Sequence, residues 1–592
     1  MSAPAKQVPG REQASTADGG EIVVRTLLDH GVNTVFTLHG GHLDAIFQSA
    51  LDRGLRLVDT RHEQAAGHAA DGWARTTGNV GVAIVTAGPG VTDVVTAVAN
   101  AYVDCVPILV IGGRSPLSDD ERLPLQGGFS QLDLMRPVTK WAATVTRIDR
   151  LADYLCQALR VATTGRPGPV FLEVPADVLF AHVGAEHAPS GSPEPIDPPA
   201  PSPYAIGSML EALAAAQRPL IMAGGGVWFG RATEPLRAFA EATGIPVVAN
   251  GRGRAALPED HRLSAGGFMT LATLPPDQGP DVVLLLGARL GLFTGSAARP
   301  FIPAAATVFQ VDIEPEEIGR NRRIELGVGA DCGHVLRALL NNTGFHQWPD
   351  RQAWTSALQG ARNTMRTLLS ASYTDDHRPI HPHRLARDLA AYLGRESDVL
   401  VADGGETSFW AESSSTIRGP GHWLSHGYLG CLGTGIPFAM AAQVAHPRSR
   451  VVCITGDGSV GLNFAEFDTL ARHGLPVVVV VNNDQQWGMS KHGQELMYGK
   501  GRTVVSELGV VRYDRAVEGF GCHGELVEDP GDIVPALDRA FASGRPACLN
   551  VLTDPDIVAP ITIAMVGAAA GAAGKPTNGQ VVMPYYGTRE TR

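Results

Sequence analysis

The sequence lacks the features of a membrane protein, a disulfide-stabilised protein and a nucleic-acid-binding protein. Its longest aliphatic runs, such as residues 477–481, are far shorter than the roughly 18 residues of a membrane span. The 7 cysteines stand singly, without a CxxC pair, as is typical of reduced core thiols. The 48 lysines and arginines against 60 acidic residues give a formal charge of -12 and no basic stripe. We therefore expect a cytoplasmic protein that contacts neither a membrane nor nucleic acid.

What the sequence does contain is the repeated pattern of an α/β enzyme. Short apolar runs alternate with helix-like segments, which is typical of parallel sheets whose strands are joined by crossover helices. At roughly 150 residues per domain, the length predicts several domains, and we expect three doubly wound parallel-sheet domains in series. Their predicted bounds are 21–186, 204–342 and 383–556, with a disordered tail at 1–20, linkers at 187–203 and 343–382, and a C-terminal arm or lid at 557–592.

A glycine-rich turn follows one apolar run of the third predicted domain. Gly456, Asp457, Gly458 and Ser459 come directly after the run, and Asp484 follows the next run along the chain. Glycines at the carboxyl end of a strand let backbone N–H groups approach a phosphate, and carboxylate oxygens are ligands that Mg²⁺ prefers. The pattern therefore predicts that Asp457 and Asp484 hold Mg²⁺ against a diphosphate. A β-turn with a capping Asp is an equally common source of GDGS alone.

A second candidate site lies in the first predicted domain, in the stretch DTRHEQAAGHAADGWAR. Glu63 stands there at the end of a strand-like run, where a helix rich in small residues begins. An isolated Glu at such a position is most often explained by the favourable helix dipole alone.

Together, these two stretches resemble the cofactor signature of thiamine diphosphate enzymes, in the branch that contains acetolactate synthase and benzaldehyde lyase. The resemblance implies that Glu63 protonates the cofactor's pyrimidine N1′, which creates the tautomer that removes the thiazolium C2 proton. It also implies a third metal ligand, the backbone carbonyl of Gln486. The family usually has Asn at the position of Asp484, so this chain carries an additional negative charge beside the metal.

The resemblance also implies further cofactor contacts. In HGYLGCLGTG, Gly430 matches the residue whose carbonyl accepts from the 4′-amino group, and Leu432 matches the bulky residue that bends the cofactor. Gly404 and Gly405, in ADGGE, would flank the diphosphate. Without the resemblance, these four residues would be interpreted as core or turn residues.

Several polar residues match substrate-facing positions of the family. His39, His42 and Gln126 match residues that line the active site of benzaldehyde lyase-like sequences, where an imidazole can relay a proton. Glu495 matches the proton-shuttling glutamate of actinobacterial 2-hydroxyacyl-CoA lyases, with Gln494 as a neutral substitute. A lone His is more often structural, and a helical Glu is as often merely exposed.

The implied function is a lyase or carboligase, dependent on thiamine diphosphate and Mg²⁺, that cleaves a 2-hydroxyacyl-CoA to formyl-CoA and an aldehyde or ketone. Acyloin cleavage like that of benzaldehyde lyase and acetolactate synthesis are alternatives within the family. A non-catalytic cofactor-binding protein is an alternative of a different class. A nicotinamide oxidoreductase is disfavoured because residues 86–90 lack the GxGxxG spacing.

The resemblance implies two further partners. Relatives bind FAD, or the ADP part of an acyl-CoA, in the central domain, where Arg231 and Arg289 are candidate phosphate partners. In the family, the first domain of one subunit and the third domain of another form each active site. We therefore expect a homodimer or a tetramer.

Overall fold

The chain folds into parallel sheets flanked by helices. In the computed structural model, the described residues within 1–70, 80–164 and 168–196 form one compact unit, and those within 71–79, 165–167 and 197–592 form another. The first unit contains one six-stranded parallel sheet and the second contains two, which confirms the prediction of three doubly wound α/β domains in series. The described residues are 16–184, 196–249, 251–275, 277–291, 301–368, 370, 372, 375–566, 580–583 and 587–590.

The first unit is built around a sheet with its crevice between two central strands. The strands of this unit are β1 (Thr16–Asp18), β2 (Thr34–Thr37), β3 (Arg56–Asp59), β4 (Gly81–Val85), β5 (Ile108–Arg114), β6 (Trp141–Thr144), β7 (Val170–Pro175) and β8 (His182–Gly184). Of these, β2 to β7 form the six-stranded sheet. Its helices are α1 (Gly19–Asp29), α2 (Asp44–Arg53), α3 (Glu63–Thr77, in this unit to Ala70), α4 (Pro89–Val103), α5 (Gln131–Met135), α6 (Leu151–Thr163) and α7 (Ala176–Leu179). The strand order β3-β2-β4-β5-β7-β6 reverses direction between β2 and β4, where ligands of doubly wound sheets bind.

The end of the predicted disordered tail is ordered. Strand β1 pairs with β8 in an antiparallel register from Thr16 opposite Gly184, and α1 starts at Gly19. A Cβ atom at Gly20 would lie 2.1 Å from the backbone oxygen of Ala45, so this glycine permits close packing of α1 on α2. Gly19 and Gly20, at the end of the predicted tail, are thus needed for helix packing. Residues 1–15 of the predicted tail lie outside the described residues.

The second unit begins with the central sheet. Its strands are β9 (Pro219–Ala223), β10 (Val247–Ala249), β11 (Ser264–Gly267), β12 (Val282–Leu286), β13 (Thr307–Asp312) and β14 (Leu326–Gly329). Its helices are α8 (Pro203–Ala215), α9 (Gly225–Phe229), α10 (Thr233–Thr243), α11 (Cys332–Asn342) and α12 (Gln352–Leu368). The order β11-β10-β9-β12-β13-β14 is that of sheets that bind dinucleotides where the order reverses, here between β9 and β12.

Part of the predicted linker at 343–382 is helical. Helix α12 buries Trp354 and Leu358 in the core of the central sheet. These apolar residues are four positions apart on one helical face, and the surrounding polar residues obscured this sparse pattern in the sequence. Of the other predicted linker, residues 187–195 lie outside the described residues.

The third sheet completes the second unit. Its strands are β15 (Val399–Asp403), β16 (Trp423–Ser425), β17 (Val451–Gly456), β18 (Val478–Asn483), β19 (His523–Val527) and β20 (Ala547–Leu552). Its helices are α13 (Pro382–Tyr392), α14 (Gly405–Ser414), α15 (Gly435–Ala445), α16 (Asp457–Val460), α17 (Glu466–Arg472), α18 (Gly488–Tyr498), α19 (Tyr513–Glu518), α20 (Ile533–Ala542) and α21 (Pro560–Val566). The order β16-β15-β17-β18-β20-β19 reverses between β15 and β17. All residues of β18 are buried, as expected for a central parallel strand covered on both faces.

The predicted C-terminal arm is partly described. It contains α21 and an antiparallel pair, β21 (Gln580–Met583) with β22 (Gly587–Glu590). Residues 567–579, 584–586 and 591–592 of the arm lie outside the described residues. Within the described part of the chain, the helices are too short or too polar to pass through a bilayer.

Candidate active site

His42 and Gln126 form a polar pair at the crevice of the first sheet. His42 lies in the 3₁₀ turn that follows β2, and its ring is hydrogen-bonded to the side chain of Gln126. Burial lowers the pKa of His42, and the hydrogen bond to Gln126 offsets this only in part. The imidazole is therefore neutral near pH 7 and available to accept a proton.

The backbone at Gln126 is held in an unusual conformation. Its φ of 59° lies in the left-handed region, which non-glycine residues rarely adopt. A Cβ atom at Gly88, between β4 and α4, would lie 3.0 Å from the Cα atom of Gln126, so the loop rests directly on this turn. Strain of this kind persists where the surrounding structure fixes it and is often found at functional sites.

A buried glutamine, Gln131, forms hydrogen bonds that hold this turn in place. The side chain of Gln131 accepts from the backbone N–H of Gly88 at 2.7 Å and donates to the carbonyl of Gly113 at 3.0 Å and to Glu173 at 3.1 Å. Our sequence reasoning missed Gln131 and Glu173, because neither belongs to a local motif.

Glu63 is the first residue of α3 and is only 7% exposed. A Cβ atom at Gly90 would lie 3.2 Å from its Oε1, so the carboxyl group lies against the first turn of α4. Burial raises the pKa of Glu63; a backbone hydrogen bond opposes this rise and the nearby Asp93 adds to it. A carboxyl group with a raised pKa can hold a proton against a ring nitrogen.

Other groups near the first crevice are more exposed. His39 is paired with Asp44, at the start of α2, at 2.9 Å. Ligand atoms of His62, Glu63 and Asp93 lie within 4.8 Å of one another. The substrate-facing role of His39 stays a prediction.

Two acidic side chains meet at the crevice of the third sheet. Gly456 in β17 pairs in register with Asn482 in β18, which brings Asp457 and Asp484 together at the carboxyl ends of these strands. Burial and repulsion by Asp484 raise the pKa of Asp457, and burial also raises the pKa of Asp484. Asp457 Oδ2 is buried and has no hydrogen-bond partner among the described residues. Two adjacent carboxylates, of which the buried Asp457 has an unpaired oxygen, fit a divalent cation.

Glycines line the turn beside this acidic pair. Gly404 has a φ of 103°, and a Cβ atom there would lie 3.3 Å from both Gly456 N and Ser459 Oγ. A Cβ atom at Gly405 would lie 2.8 Å from Met489, and a Cβ atom at Gly458 would lie 2.6 Å from the ring of Trp487. The glycines thus allow this turn to pack closely on its neighbours, and glycines at the carboxyl ends of strands also let backbone N–H groups approach a diphosphate.

The loop with Gly430 and Leu432 connects β16 to α15. Gly430 has a φ of 67° and Leu432 is half-buried. Asp403, at the end of β15, accepts hydrogen bonds from the backbone of Gly433 and Gly435 at 3.3 and 3.0 Å. Burial raises the pKa of Asp403 to about 6, although these backbone hydrogen bonds oppose the rise. Sequence reasoning missed Asp403, which fixes the loop, although its place at a strand end was a usable signal.

Helix α18 begins just after the predicted metal ligands. Gln486 forms an antiparallel backbone bridge with Glu507. Further along, the side chain of Gln494 accepts from Val504 N at 2.8 Å and donates to Val504 O at 3.1 Å. Glu495 is half-buried on the same helix. Because Gln494 is engaged with the backbone, Glu495 is the better candidate for moving a proton.

The central crevice is lined by glycine at the ends of β9 and β12. A Cβ atom at Gly224 would lie 2.3 Å from Gly287 O. Arg231, a predicted phosphate partner, donates instead to the carbonyls of Thr77 and Gly78 at 3.1 and 2.9 Å and so caps the end of α3. The guanidinium of Arg289 lies 4.7 Å from the ring of Tyr428.

Three family models match the chain in series. They are the thiamine pyrophosphate enzyme N-terminal TPP binding domain at residues 17–135, the central domain at 206–339 and the C-terminal TPP binding domain at 403–551.

Curated relatives match almost the whole chain. An acetolactate synthase large subunit of Mycobacterium tuberculosis is 38% identical, covering 92% of this chain and 98% of the relative. A probable acetolactate synthase large subunit of Methanocaldococcus jannaschii is 31% identical, covering 91% and 92%. Human 2-hydroxyacyl-CoA lyase 2 is 32% identical, covering 91% of each chain.

Proposed function

Because the chain belongs to the thiamine pyrophosphate (thiamine diphosphate) enzyme family, we propose that it cleaves 2-hydroxyacyl-CoA thioesters reversibly to formyl-CoA and an aldehyde or ketone. The reaction breaks the bond between the thioester carbon and the hydroxyl-bearing carbon. The hydroxyl group loses its proton as it becomes a carbonyl, and the thioester carbon gains a proton to become formyl. When bound, the cofactor supplies the nucleophile and the electron sink that this cleavage requires.

The chain's own residues divide the remaining tasks between two crevices. Asp457, Asp484 and the carbonyl of Gln486 would hold Mg²⁺ against the diphosphate, and the glycines at 404–405 would flank it. Glu63 would hold a proton at the pyrimidine ring. Its raised pKa and its burial support this role.

The hydrogen-bonded pair of His42 and Gln126 is the observation that carries the lyase proposal. The substrate's hydroxyl proton requires an acceptor, and a neutral imidazole oriented by a carboxamide can provide one. Glu495 would return a proton to the thioester carbon. The thioester substrate is supported by the likeness to human 2-hydroxyacyl-CoA lyase 2.

Acetolactate synthesis is a second candidate, because the Mycobacterium tuberculosis relative with 38% identity carries that name. Purified enzyme with thiamine diphosphate and Mg²⁺ should therefore be assayed on a 2-hydroxyacyl-CoA, on benzoin and on pyruvate. We expect turnover of the thioester with release of formyl-CoA. Benzaldehyde from benzoin alone would indicate an acyloin lyase, whereas acetolactate from pyruvate together with bound yellow FAD would overturn the proposal.

We also propose a homo-oligomer, a dimer or tetramer, in which the two crevices of different subunits hold one cofactor. In the first unit, Leu123 and Leu125 beside Gln126 are each 84% exposed. In the second unit, Val504 and Val505 are 67% and 98% exposed. Exposed apolar side chains of this size favour burial against a partner. A fully active monomer in sedimentation would contradict the proposal.

A nucleotide, either the ADP part of the thioester or FAD, would bind at the central crevice. The strand order of the central sheet and the close approach of Gly224 to Gly287 support this site. Equilibrium dialysis of the full chain with ADP, CoA and FAD would identify the ligand. Failure of all three to bind would contradict a nucleotide site.

A further inference from the structure

A buried polar cluster joins three helices of the second unit. We call it the Glu406 cluster, and it consists of Glu406 on α14, His492 on α18, Thr562 on α21, Gln486, and the carbonyl of Pro555. All four side chains are buried. Glu406 belongs to the stretch ADGGE and Gln486 is an implied metal ligand, but no motif in the sequence relates either residue to His492 or Thr562.

Glu406 receives its hydrogen bonds from two parts of the chain. Its Oε1 accepts from the hydroxyl of Thr562 at 2.5 Å and from the backbone N–H of Ala559 at 3.3 Å. Its Oε2 lies 3.0 Å from Nδ1 of His492. Burying a carboxylate costs free energy unless hydrogen-bond donors surround it. Loss of one of these donors is therefore expected to shift Glu406 and the remaining donors.

The same cluster reaches the predicted metal ligands. Nε2 of His492 lies 2.8 Å from the carbonyl oxygen of Pro555, and Nε2 of Gln486 donates to that same oxygen at 2.8 Å. Gln486 also donates to Asp484 Oδ2 at 3.3 Å. Residues 555–562 are therefore connected to the loop 484–486 by a continuous chain of hydrogen bonds.

Glu406 and Asp484 also share a neighbour. A Cβ atom at Gly488, the first residue of α18, would lie 2.5 Å from Asp484 Oδ2 and 3.7 Å from Glu406 Oε2. The start of α18 is therefore wedged between the two carboxylates. A displacement of Glu406 or of α18 is expected to move Asp484.

Apolar side chains also pack α21 on its neighbours, since Ile561 lies against the buried Ala386 and Trp410. Val566, at the end of the same helix, is fully buried. Polar groups add a fixed geometry, because each hydrogen bond requires its own distance and angle. The cluster thus determines how α21 docks, relative to α18 and the predicted metal ligands.

We propose that the segment 555–566 is an integral part of the cofactor site, and that Glu406, His492 and Thr562 are positioning residues that fix the loop 484–486 when this segment is docked. The inference rests on the proposed binding of thiamine diphosphate and Mg²⁺. It predicts a reciprocal effect: docking of the segment strengthens cofactor binding, and cofactor binding protects the docked segment by the same factor.

The test uses the full chain with Thr562→Val, which removes a single hydroxyl group and touches no predicted ligand. Thr562→Ser is the conservative variant that keeps the hydroxyl, and Ile563→Ala, on the exposed face of α21, is the matched control. Cofactor dissociation constants come from calorimetry with Mg²⁺ and thiamine diphosphate. Protection of the amides of 559–566 comes from hydrogen exchange with and without cofactor.

We expect Thr562→Val to weaken cofactor binding by about tenfold, the range for a hydrogen bond to a charged group. We also expect it to abolish the cofactor-dependent protection of 559–566, and we expect Thr562→Ser to restore both. Glu406→Gln should have a larger effect in the same direction. Faster exchange in Thr562→Val with unchanged cofactor affinity would overturn the inference, as would wild-type protection that does not respond to cofactor. If the wild-type protein bound no cofactor, the proposed function itself would fail.

Discussion

The sheets formed by β2–β7 and by β15–β20 share one strand order, and both place their polar residues where that order reverses. Their chemistry differs nonetheless. The crevice of the first sheet has the hydrogen-bonded pair of His42 and Gln126 and the buried carboxyl group of Glu63. The crevice of the third sheet has two adjacent carboxyl groups, the buried Asp457 and the half-buried Asp484.

This contrast shows how one fold supports two kinds of chemistry. In the first crevice, a single carboxyl group with a raised pKa and a neutral imidazole can pass protons without a permanent charge. In the third crevice, two carboxylates repel each other unless a cation lies between them. The comparison therefore predicts that substitutions in the first sheet change rates, whereas substitutions in the third change binding.

The largest expected effect is on catalysis through the first sheet. Glu63→Gln keeps the shape of the side chain but removes the proton, so kcat should fall at least about 100-fold, the lower range for general acid–base catalysis. Cofactor affinity should change much less. The measurement is steady-state turnover together with calorimetric binding of thiamine diphosphate.

The matched control for this substitution is Asp93→Asn, which changes a neighbouring carboxyl group that contributes to the raised pKa of Glu63. Its kcat should stay within a few-fold of wild type, since only a minor perturbation is removed. Wild-type turnover in Glu63→Gln would show that Glu63 does not hold a catalytic proton. The proposed difference between the first and third sheets would then be wrong.

The next effect is on binding through the third sheet. Asp457→Ala removes a buried carboxylate whose Oδ2 has no hydrogen-bond partner among the described residues. We expect loss of the thermal stabilisation that Mg²⁺ and thiamine diphosphate give to the wild-type protein. The exposed Asp532→Ala, in the same domain, should retain it. Retention of the stabilisation in Asp457→Ala would show that the cation binds elsewhere.

Local patterns in the sequence were sufficient to predict the three parallel sheets, and together with the family resemblance they indicated the candidate site residues at strand ends. The uninterrupted apolar run of β18 and the GDGS turn after β17 are examples. The pattern of α12 was too sparse among polar residues for this helix to be predicted. The role of Gly19 and Gly20 in helix packing also has no signal in the local sequence.

The supporting contacts could not be predicted, because they join residues far apart in the chain. Gln131 is 43 residues from Gly88, and Glu406 is 86 residues from His492 and 156 from Thr562. No periodicity or motif relates such positions. Only the folded sheets bring them together.

A smaller effect tests whether the pair in the first sheet acts as a unit. His42→Ala and Gln126→Ala should each lower kcat by about tenfold or more, since each removes part of one proton acceptor. The double variant should be only slightly slower than the slower of the two single variants, because the effects of substituting two hydrogen-bonded residues are not additive. KM should change less than kcat. Fully multiplicative losses would show that the two side chains act separately.

The smallest expected effect is a change in pH dependence at Asp484, where the family usually has Asn. Both carboxyl groups of the pair have a raised pKa in the folded protein, so the metal-free protein retains protons that the unfolded chain releases above about pH 4. Its stability therefore falls as the pH rises through the raised values, and Mg²⁺ should reverse this loss. The gain in Tm on adding Mg²⁺ should be larger at high pH than at low pH, by about two degrees or more. Asp484→Asn removes the repulsion but leaves the effect of burial on the pKa of Asp457, so the pH dependence of the gain should become smaller while the metal still binds. An unchanged pH dependence in this variant would place the repulsion elsewhere than between Asp457 and Asp484.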